Sequence, residues 1–445
     1  MLNFGKPLVV TIICSHRPHT PIISFESPVV NERSLSQRLA ADVMQCCDDL
    51  GRCSDEPRRL KRTFCSAAMR DAHRLVTGWM EAAGMSVRID AAGNLIGNYL
   101  PPGSNPQRRV LIGSHLDTVA DAGRYDGILG VIMGIALVEA LRESDQSLPW
   151  AIEVIGFSEE EGVRFRTPFI GSRALAGTLD AGMLTLCDDT GVSISQALDH
   201  FGCDPHAMDE CRATPDSIVA YLEPHIEQGP LLEALDEPLG VVTAIAGQTR
   251  LTVEWAGEGG HAGTAPMNLR NDPLPIAGRW AVAVEEAARS TPGLVATVGR
   301  LSVDPNVPNC IPRCVTASLD VRHQEDAVRI AAVEKLLALA DELARDANLA
   351  MRIERQHEHS AVAMDPRLVE GLAKSVATCT GDPQRMVSGA GHDAGVIATV
   401  APTAMLFLRS PGGVSHHPAE AVQESDVALG LEVLVHFIHA LASVA

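Results

Sequence analysis

A segment of small and polar residues joins two apolar runs near position 115. It reads GSHLDTVADAGRYDG, from Gly113 to Gly127, and contains His115, Asp117 and Asp126. Residues i and i+2 at the end of a strand face the same side, so Asp117 is placed to accept the second ring N–H of His115, as carboxylates do beside metal-bound histidines. Taken singly, each residue is better explained as a solvated loop residue or a helix cap. Together they indicate half of a metal site, whose other half must lie elsewhere in the chain.

Three consecutive glutamates, Glu159, Glu160 and Glu161, follow the apolar run WAIEVIGFS. Adjacent carboxylates repel one another and are poor strand formers. A surface loop tolerates them, but at the carboxyl end of a buried strand they require compensating cations or metals. A metal site offers a division of roles, in which one Glu is an ionised ligand and another exchanges a proton as the general base.

Two further loops bounded by Gly and Pro supply histidines. The stretch PHIEQGPLLE contains His225, and SPGGVSHHPAE contains His416 and His417. A lone loop histidine is usually just exposed, but with the His/Asp pair and the acidic triplet these residues complete the donors that two metal ions sharing one carboxylate need. Imidazole and carboxylate suit Zn, Mn, Co or Ni, and no Cys lies in these motifs. A water between two such ions becomes a hydroxide at neutral pH and attacks a carbonyl carbon.

A later part of the chain holds candidates for substrate binding: His261 in GEGGHAGTAPM, Asn309 in VPNCIP and Arg322 in LDVRH. An Arg at the end of a strand suits bidentate capture of a substrate carboxylate. A surface ion pair explains Arg322 equally well, because the chain is rich in acids. The pattern alone leaves both interpretations of Arg322 open.

Helices and strand-like runs alternate over the first half of the chain. Helical periodicity extends from about Leu35 to Ala83, strand patterns lead to His115, a helix covers about 127–142, and the run WAIEVIGFS is typical of a buried strand. This order predicts an α/β sheet with right-handed crossovers. Ligands bind at the carboxyl ends of strands in such sheets, which is where His115 and the glutamates would lie.

The pattern changes near Pro238. Alternating runs typical of antiparallel strands are followed by a helix over about 275–290, two more strands and the long amphipathic helix EDAVRIAAVEKLLALADELARDA. This order is typical of a small α+β domain. We therefore predict three parts: a loose extension rich in Pro and Ser (1–34), a catalytic domain in two segments (35–237 and 358–445) and an inserted domain (238–357).

Length and charge restrict the class of protein. A chain of 445 residues is too long for one ordinary core. The formal net charge of −20 argues against nucleic acid or an anionic membrane surface as a partner. The eleven Cys form no CxxC pair, which favours free thiols in a reducing cytosol and predicts a cytoplasmic location. No window approaches the ~20 apolar residues of a membrane span.

Together, these motifs resemble those of the M20-type di-metal amidohydrolases. The closer match is the hydantoinase/carbamoylase branch, which includes allantoate amidohydrolases, N-carbamoyl-L-amino-acid hydrolases and β-ureidopropionases. The resemblance covers nearly everything from about residue 35, with motifs in a common order: GSHLDTV, EEEGVRF, GSRALAG, HIEQGP, GHAGTAPM, VPNCIP, GAGHDA and GGVSHHPAE. It implies an α/β, aminopeptidase-like catalytic domain with an inserted α+β, ferredoxin-like lid that also forms a homodimer.

The resemblance also implies a role for individual residues around two divalent ions per subunit, Zn or Mn with Co or Ni as alternatives. The implied metal ligands are His115, Asp126, Glu161, His225 and His416. Asp126 would bridge the two ions, and Asp117 would orient His115. Glu160 is implied as the general base, because the family motif reads Glu-Glu-Gly and its Gly matches Gly162.

The remaining implied residues bind substrate or stabilise charge. His261 would reach into the neighbouring subunit's site and stabilise the developing oxyanion. The implied substrate-binding residues are Gln228, Asn309, Arg322, His392, Gly412 and Gly413. Arg322 would hold the substrate carboxylate close to the amides of Gly412 and Gly413, while His392 lies in a family motif without an evident role. One departure, RNDPLPIAG, is expected to reshape a helix start in the inserted domain.

Allantoate is the substrate that the resemblance favours, because TFCSAAMRDAHRLVTGWMEAAGMSVRIDAAGNLIG and LRSPGGVSHHPAE look most like allantoate amidohydrolases. N-carbamoyl-L-amino acids and the β-ureidopropionase reaction stay open as alternatives. A peptidase is disfavoured because HIEQGP belongs to the carbamoylase branch. A non-catalytic relative is disfavoured because all five ligands and the base are present. A dinucleotide-binding protein is discounted, since the glycines of GILGVIMG do not form GxGxxG after a strand.

Overall fold

The computed structural model describes residues 32–144, 147–214 and 216–443. The predicted loose extension lies outside these ranges, except that its last residues open the first helix. The helices are α1 (Glu32–Leu50), α2 (Ala67–Ala82), α3 (Ile128–Glu143), α4 (Ile170–Ala176), α5 (Ile194–Phe201), α6 (Leu231–Leu235), α7 (Pro273–Ser290), α8 (Asp326–Asp346), α9 (Pro366–Cys379), α10 (Asp393–Ile397) and α11 (Glu424–Ser443). The strands are β1 (Ser86–Ile89), β2 (Leu95–Tyr99), β3 (Asn105–His115), β4 (Trp150–Phe157), β5 (Ile218–Ile226), β6 (Leu239–Ile245), β7 (Gly247–Ala256), β8 (Gly260–His261), β9 (Val295–Thr297), β10 (Leu301–Asp304), β11 (Cys310–Ile311), β12 (Cys314–His323), β13 (Ala350–His359), β14 (Val362–Ala363), β15 (Gln384–Ser388) and β16 (Thr403–Leu408).

A nine-stranded sheet forms the large domain, in the order β1-β2-β4-β3-β5-β16-β6-β14 with β15 beside β6. Its centre is parallel, because β3 pairs in parallel with β4 and β5, and β5 with β16. Every residue of β4 is buried, as expected of a parallel strand covered on both faces. The carboxyl ends of these four strands therefore meet at one edge of the sheet. This confirms the predicted α/β class.

A five-stranded sheet, in the order β10-β12-β7-β13 with β9 beside β12, forms the inserted domain. Alternate residues of β12 are buried, and α7 and α8 cover the buried side. The core between them contains Trp255 and Trp280, whose rings meet edge to face at 5.3 Å. β8 and β11 form a separate two-stranded sheet. In the departure RNDPLPIAG, Asp272 caps α7, which starts at Pro273, two residues before the predicted position.

The predicted boundaries of the inserted domain, 238 and 357, need correction. β6 pairs with β16 and β15, so it belongs to the large sheet, and the chain crosses to the small sheet at Ala246. The chain returns after His359, the end of β13, and β14 pairs with β6 again. Sequence periodicity could not separate β6 from β7, because alternation does not reveal which sheet a strand joins.

The C-terminal helix α11 is long and apolar enough to cross a membrane by length and composition, which corrects the expectation that no window approaches a membrane span. Half of that helix is nevertheless buried within the protein. It packs against α1, α3, α9 and β16, and its buried residues include Val427, Leu431, Leu434 and Phe437. Its apolar surface is therefore used in the core of the large domain.

Candidate metal centre

The predicted metal-binding side chains converge at the carboxyl edge of the large sheet. His115 is the last residue of β3, and His225 is the penultimate residue of β5. Glu161 follows the end of β4, and His416 lies in the loop after β16. Asp126 immediately precedes the Gly127 cap of α3. Each side chain is positioned by the end of a core element, so the site depends on the fold of one sheet.

Gly127 shows why the loop after β3 needs a glycine before the helix. Its φ is +68°, and a Cβ at this position would lie 2.4 Å from the ring of His115. Any larger side chain would displace that ring, and the positive φ favours glycine independently. The glycine therefore allows α3 to begin directly against His115.

Two groups of potential metal ligands share Asp126. The first consists of His115, Asp126 and His225, and the second of Asp126, Glu161 and His416, with donor atoms within 4.8 Å of one another in each group. Asp126 Oδ1 lies 3.2 Å from His225 Nε2 and 3.8 Å from His115 Nε2. Asp126 Oδ2 lies 3.2 Å from His416 Nε2, which is 3.6 Å from Glu161 Oε1. Each oxygen of Asp126 thus faces one group, the arrangement that a bridging carboxylate requires.

The two buried histidines present a ring nitrogen to this centre. His115 Nδ1 lies 3.0 Å from the carbonyl oxygen of Asp117, and His225 Nδ1 lies 2.8 Å from that of Ile226. A carbonyl only accepts, so both Nδ1 atoms carry the hydrogen and both Nε2 atoms can direct a lone pair into the site. His225 Nε2 is buried and points at Asp126 Oδ1. These donors fit a divalent ion.

The charges at this edge also favour bound cations. Burial, together with neighbouring carboxylates, raises the pKa of both Glu160 and Glu161 well above the usual range. Burial lowers the pKa of His225, but the adjacent Asp126 outweighs it and raises the pKa of the ring to about 9. Protons thus compensate the carboxylates in the protein alone, and a metal ion would replace them.

Asp117 does not orient His115 through its carboxylate, as predicted, but through its backbone carbonyl. The acceptor for the His115 ring is the backbone carbonyl of Asp117, while its carboxylate Oδ1 is 3.8 Å from Nδ1. The two carboxylate oxygens accept instead from the backbone N–H groups of Glu160, at 3.1 Å, and Glu161, at 3.0 Å. Alternation along a strand predicts the side, but it cannot distinguish the carbonyl of a residue from its carboxylate. Asp117 therefore links His115 to the Glu160–Glu161 segment.

The three consecutive glutamates have different surroundings. Glu160 lines the cavity in front of the centre, with Oε2 at 3.9 Å from His115 Nε2. Glu159 points away and is fully buried, and its Oε1 accepts from the backbone N–H groups of Arg164 and Phe165. Burial and the nearby Asp117 raise the pKa of Glu159 to about 8. Glu159 thus fixes the following loop and leaves the other two to face the cavity.

A cavity of about 260 Å³ separates the metal centre from the inserted domain. Arg322 faces it from β12, donates to both oxygens of Asp320, and donates across the domains to the carbonyl of Gly389. Gln248 and His359 line the same cavity, and neither was predicted from the sequence. All three lie on adjacent strands, since Gln248 is paired with Arg322 on one side and with His359 on the other. The row becomes apparent only from the register of the three strands. Polar residues at the ends of alternating strands could have indicated its members from the sequence.

Gln228 connects the cavity to the bridging carboxylate. Its Nε2 donates to Asp126 Oδ2 at 3.0 Å and to Ser415 Oγ at 3.3 Å. Its Oε1 is buried without a hydrogen-bond partner, so it is oriented to accept an N–H group from a bound molecule.

His392 lies behind the first ligand group. Its ring meets that of His225 edge to face at 4.5 Å, and its Nε2 lies 2.8 Å from Ser388 Oγ. Burial lowers the pKa of His392 well below the usual range, which keeps the ring neutral. It forms part of the cavity lining and also packs directly against a metal-ligand candidate.

Neither Gly412 nor Gly413 is among the described residues that line the two cavities beside Arg322, so their predicted place near that side chain stays a prediction. The N–H of Gly412 donates to Glu233, and that of Gly413 donates to the carbonyl of Ser410. Their φ values are +73° and +62°. Their amides are already used in a tight turn that leads the chain to His416.

His261 and Asn309 lie together but away from the cavity of their own chain. His261 is in β8, opposite Cys310 of β11, and the carbonyl of Asn309 accepts from the N–H of Ala262. Both residues are exposed, and neither is among the described residues that line the cavity. The structure thus separates them from Arg322.

Glu420 is a further residue of the centre, and it was not predicted from the sequence. Its Oε1 accepts from the backbone N–H groups of Tyr125 and Asp126, at 2.9 and 3.0 Å, and its Oε2 accepts from Ser415 Oγ at 3.1 Å. It therefore ties the loop of the bridging Asp126 to the loop of His416. Glu420 is the last residue of the motif GGVSHHPAE, and its place in that motif could have indicated a role in the centre.

Comparisons with known proteins agree with this geometry. The model of peptidase family M20/M25/M40 matches residues 111–440. The chain is 40% identical over 418 residues to an allantoate deiminase of Arabidopsis thaliana, covering 87% of this chain and 79% of that protein. It is 39% identical over 396 residues to an N-carbamoyl-L-amino acid amidohydrolase of Geobacillus stearothermophilus, covering 88% and 96%.

Solved structures lead to the same family. An amidase of the hydantoinase/carbamoylase family from Burkholderia multivorans is 32% identical, with a TM-score of 0.84 over 92% of this chain and 98% of that chain. M20 proteins are metal-dependent hydrolases, in keeping with the two ligand groups that share Asp126. The chain therefore belongs to the M20 peptidase family and to its hydantoinase/carbamoylase branch.

Proposed function

We propose that this protein hydrolyses the ureido C–N bond of a small carboxylate, and that allantoate is its substrate. The observation that carries the proposal is the shared Asp126 between two His/carboxylate groups, facing a cavity that contains Arg322. On one side of the cavity, the metal-ligand candidates supply the groups for hydrolysis. On the other side, the guanidinium group of Arg322 can bind the substrate carboxylate. The allantoate deiminase and the N-carbamoyl-L-amino acid amidohydrolase to which the chain is similar are named for substrates of this class.

We propose two divalent ions per chain, Zn or Mn, with Co or Ni as alternatives. The proposed ligands are His115, Asp126, Glu161, His225 and His416. When bound, such ions polarise a carbonyl group and lower the pKa of water. The mixture of imidazole and carboxylate donors suits these metals.

Glu160 is the proposed general base. Its side chain lines the cavity beside the ligands, and its backbone is fixed by Asp117. Divalent ions bound beside it would favour the ionised carboxylate, which is the form that takes a proton from water. Glu160 takes a proton from the attacking water and returns it to the departing nitrogen. Breaking a terminal C–N bond of allantoate releases ammonia, and the remaining carbamate loses carbon dioxide to give ureidoglycine.

The row of Arg322, Gln248 and His359 is the proposed binding surface for the rest of the substrate. Arg322 pairs with the carboxylate, and Gln228 Oε1 accepts a ureido N–H. The amide of Gln248 donates to Asp320, which also holds Arg322. Allantoate has two ureido arms on the carbon that bears its carboxylate, so a cavity bordered by polar side chains on both sides suits it.

A specific feature favours N-carbamoyl-L-amino acids as the second candidate. An adjoining cavity of about 720 Å³ shares Arg322 and Gln228 with the first and is also lined by Val295, Met386 and Phe407. It offers apolar surface to an amino-acid side chain. The two candidates share the carboxylate and one ureido group, and differ in what occupies this second space.

We propose a cytoplasmic homodimer in which His261 acts in the site of the partner subunit. The support is that His261 and Asn309 are adjacent, exposed and absent from the lining of their own cavity. A residue of the small sheet formed by β8 and β11 can then complete a second chain's site. His261 would donate to the developing oxyanion, and Asn309 would hold the substrate beside it.

Ammonia release over a small panel tests the proposal. Protein reconstituted with Zn or Mn is assayed with allantoate, two N-carbamoyl-L-amino acids, N-carbamoyl-β-alanine and a dipeptide. We expect kcat/KM for allantoate to exceed each other value by at least about tenfold, equivalent to about 1.4 kcal/mol. A preference for a carbamoyl amino acid would replace allantoate, and inactivity on the whole panel would contradict the enzymatic proposal.

A further inference from the structure

A second kind of ligand group lies between α9 and α11. Sγ of Cys379, a carboxylate oxygen of Glu432 and a ring nitrogen of His436 lie within 4.8 Å of one another. None of the three is among the described residues that line the catalytic cavity. All three are partly exposed, so an ion from solvent can reach them. This group of side chains is not used by the hydrolytic mechanism.

The two helices bring these donors together in a regular way. Glu432 and His436 are separated by one turn of α11, so they share one face of that helix. Cys379 is the last residue of α9. The C-terminal end of a helix carries a partial negative charge, and the last turn of α9 contains no basic side chain. The position therefore favours a cation independently of the three donors.

We propose that Cys379, Glu432 and His436 form a zinc site that links α9 to α11. Zinc bonds are about 2.3 Å to sulfur and about 2.0–2.2 Å to nitrogen and oxygen, so tetrahedral ligands are separated by about 3.5 Å. Closing the observed spacing requires contraction by little more than about 1 Å, which side-chain torsions supply. Water completes the fourth position, because the site is partly exposed.

The thiolate distinguishes this site from the catalytic centre. Soft thiolate favours Zn over Mn, whereas the nitrogen and oxygen donors around Asp126 accept both. Binding replaces the proton of the Cys379 thiol and releases it to solvent. The zinc then joins the end of α9 to the C-terminal helix, two helices that already pack together.

A cobalt titration tests this site separately from catalysis. Metal-stripped protein, kept reduced with a phosphine, is titrated with Co²⁺, and the near-ultraviolet absorption is recorded. Thiolate bound to cobalt gives a charge-transfer band, which the catalytic groups cannot produce because they contain no Cys. We expect the band to reach the intensity of one thiolate-bound Co²⁺ per chain by about three equivalents of added Co²⁺, since the two catalytic positions also take the ion, and to disappear when Zn²⁺ displaces Co²⁺. No band at saturating Co²⁺ would overturn the proposal.

Variants identify the ligands. Cys379→Ser should abolish the band, while Cys187→Ser, at an exposed cysteine, should retain it. His436→Asn should weaken Co²⁺ binding at least about tenfold. A band that survives Cys379→Ser would overturn the proposal. If circular dichroism shows that this variant is unfolded, His436→Asn decides, since unchanged Co²⁺ affinity there would also overturn it. None of these readouts involves turnover, so they do not depend on the hydrolytic proposal.

Discussion

The carboxyl edge of the large sheet and the two-stranded sheet of the inserted domain contribute to the proposed site in different ways. At the edge, the other four metal-ligand candidates converge within one chain on Asp126. In the inserted domain, Arg322 faces the cavity, while His261 and Asn309 do not line it. The difference teaches that parallel strands of one sheet bring their ends together automatically, whereas residues on a second domain depend on its placement or on another chain.

The largest expected effect tests the edge itself. Glu160→Gln keeps the size of the side chain but removes its ability to take a proton from water. We expect kcat to fall roughly 10³–10⁴-fold, with metal content unchanged, because Glu160 is not one of the proposed ligands. Turnover and bound metal are measured on the same preparation. Retained turnover would assign the base elsewhere and would remove the proposed distinction between Glu160 and Glu161.

The next effect tests whether the two-stranded sheet acts in the partner subunit. His261→Ala should reduce kcat by about 10²–10³-fold, since it removes a donor to the developing oxyanion. His416→Ala should inactivate its own chain by removing a ligand. A mixed dimer has one chain with each change, and we expect it to regain activity, because one site then keeps both His416 and the partner's His261.

Activity of the mixed dimer distinguishes the two arrangements. If His261 acted within its own chain, each site of the mixed dimer would carry one defect and activity would stay at the level of the parents. Co-expression with two affinity tags isolates the mixed species, and a sample mixed after purification serves as the control. Activity of the mixed dimer at the level of the parents would remove the contrast between the edge and the inserted domain.

Arg322→Ala should have a smaller effect, lowering kcat/KM about 100-fold through loss of a charge-assisted pair with the carboxylate. Arg250→Ala is the matched control, since Arg250 also pairs with Asp320 but is not among the residues lining the cavity. An alkylurea without a carboxylate should be hydrolysed equally by the protein with and without Arg322. An equal loss on that urea would show that Arg322 mainly holds the domains together through Gly389.

Much of the edge could be predicted from the sequence because its geometry is local. His115 ends an apolar strand and Glu161 closely follows another, and parallel strands place both at one edge. The roles of these residues stay predictions, although the fold and family are confirmed. The prediction that the carboxylate of Asp117 accepts from the His115 ring was wrong, because alternation along a strand predicts where side chains point and says nothing about backbone carbonyls.

The inserted domain was less predictable because its contributions depend on register. Gln248 and His359 become visible only when β7 is known to pair with both β12 and β13. The boundary at 238 was wrong because β6 and β7 follow each other as one strand-like run of sequence, although they join different sheets. The amides of Gly412 and Gly413 donate to Glu233 and to the carbonyl of Ser410, which the residue types alone do not reveal.

A substitution of Glu420 tests how strongly the loop of Asp126 and the loop of His416 depend on each other. Glu420→Gln should keep the acceptor for the N–H groups of Tyr125 and Asp126 but alter the bond from Ser415. We expect metal affinity to fall about 10–100-fold, the usual effect of changing a residue that orients ligands, while kcat at saturating metal changes little. Glu424→Gln, at an exposed acid nearby, is the control. A loss of kcat that saturating metal does not restore would place Glu420 in the chemistry.

The smallest expected effect is a pH dependence confined to the metal-stripped protein. The pKa of His225 is raised to about 9 and that of Glu159 to about 8, and the pKa values of Glu160, Glu161 and His416 are also raised. Between pH 7 and 9 the folded chain thus binds more protons than the unfolded chain, so its stability falls as pH rises. We expect the Tm of the stripped protein to drop by roughly a few °C over this range.

The loaded protein provides the contrast for that measurement. Metal ions replace the protons on the ligands, so its Tm should depend less on pH over the same range. Scanning calorimetry of both forms at pH 7 and 9 gives the comparison. An equal drop in both forms would mean that the titrating groups lie outside the metal centre, with Glu159 as the first candidate, since it is buried beside the edge but faces away from the cavity. Glu159→Gln in the stripped protein would then remove part of the drop, whereas His416→Ala would not.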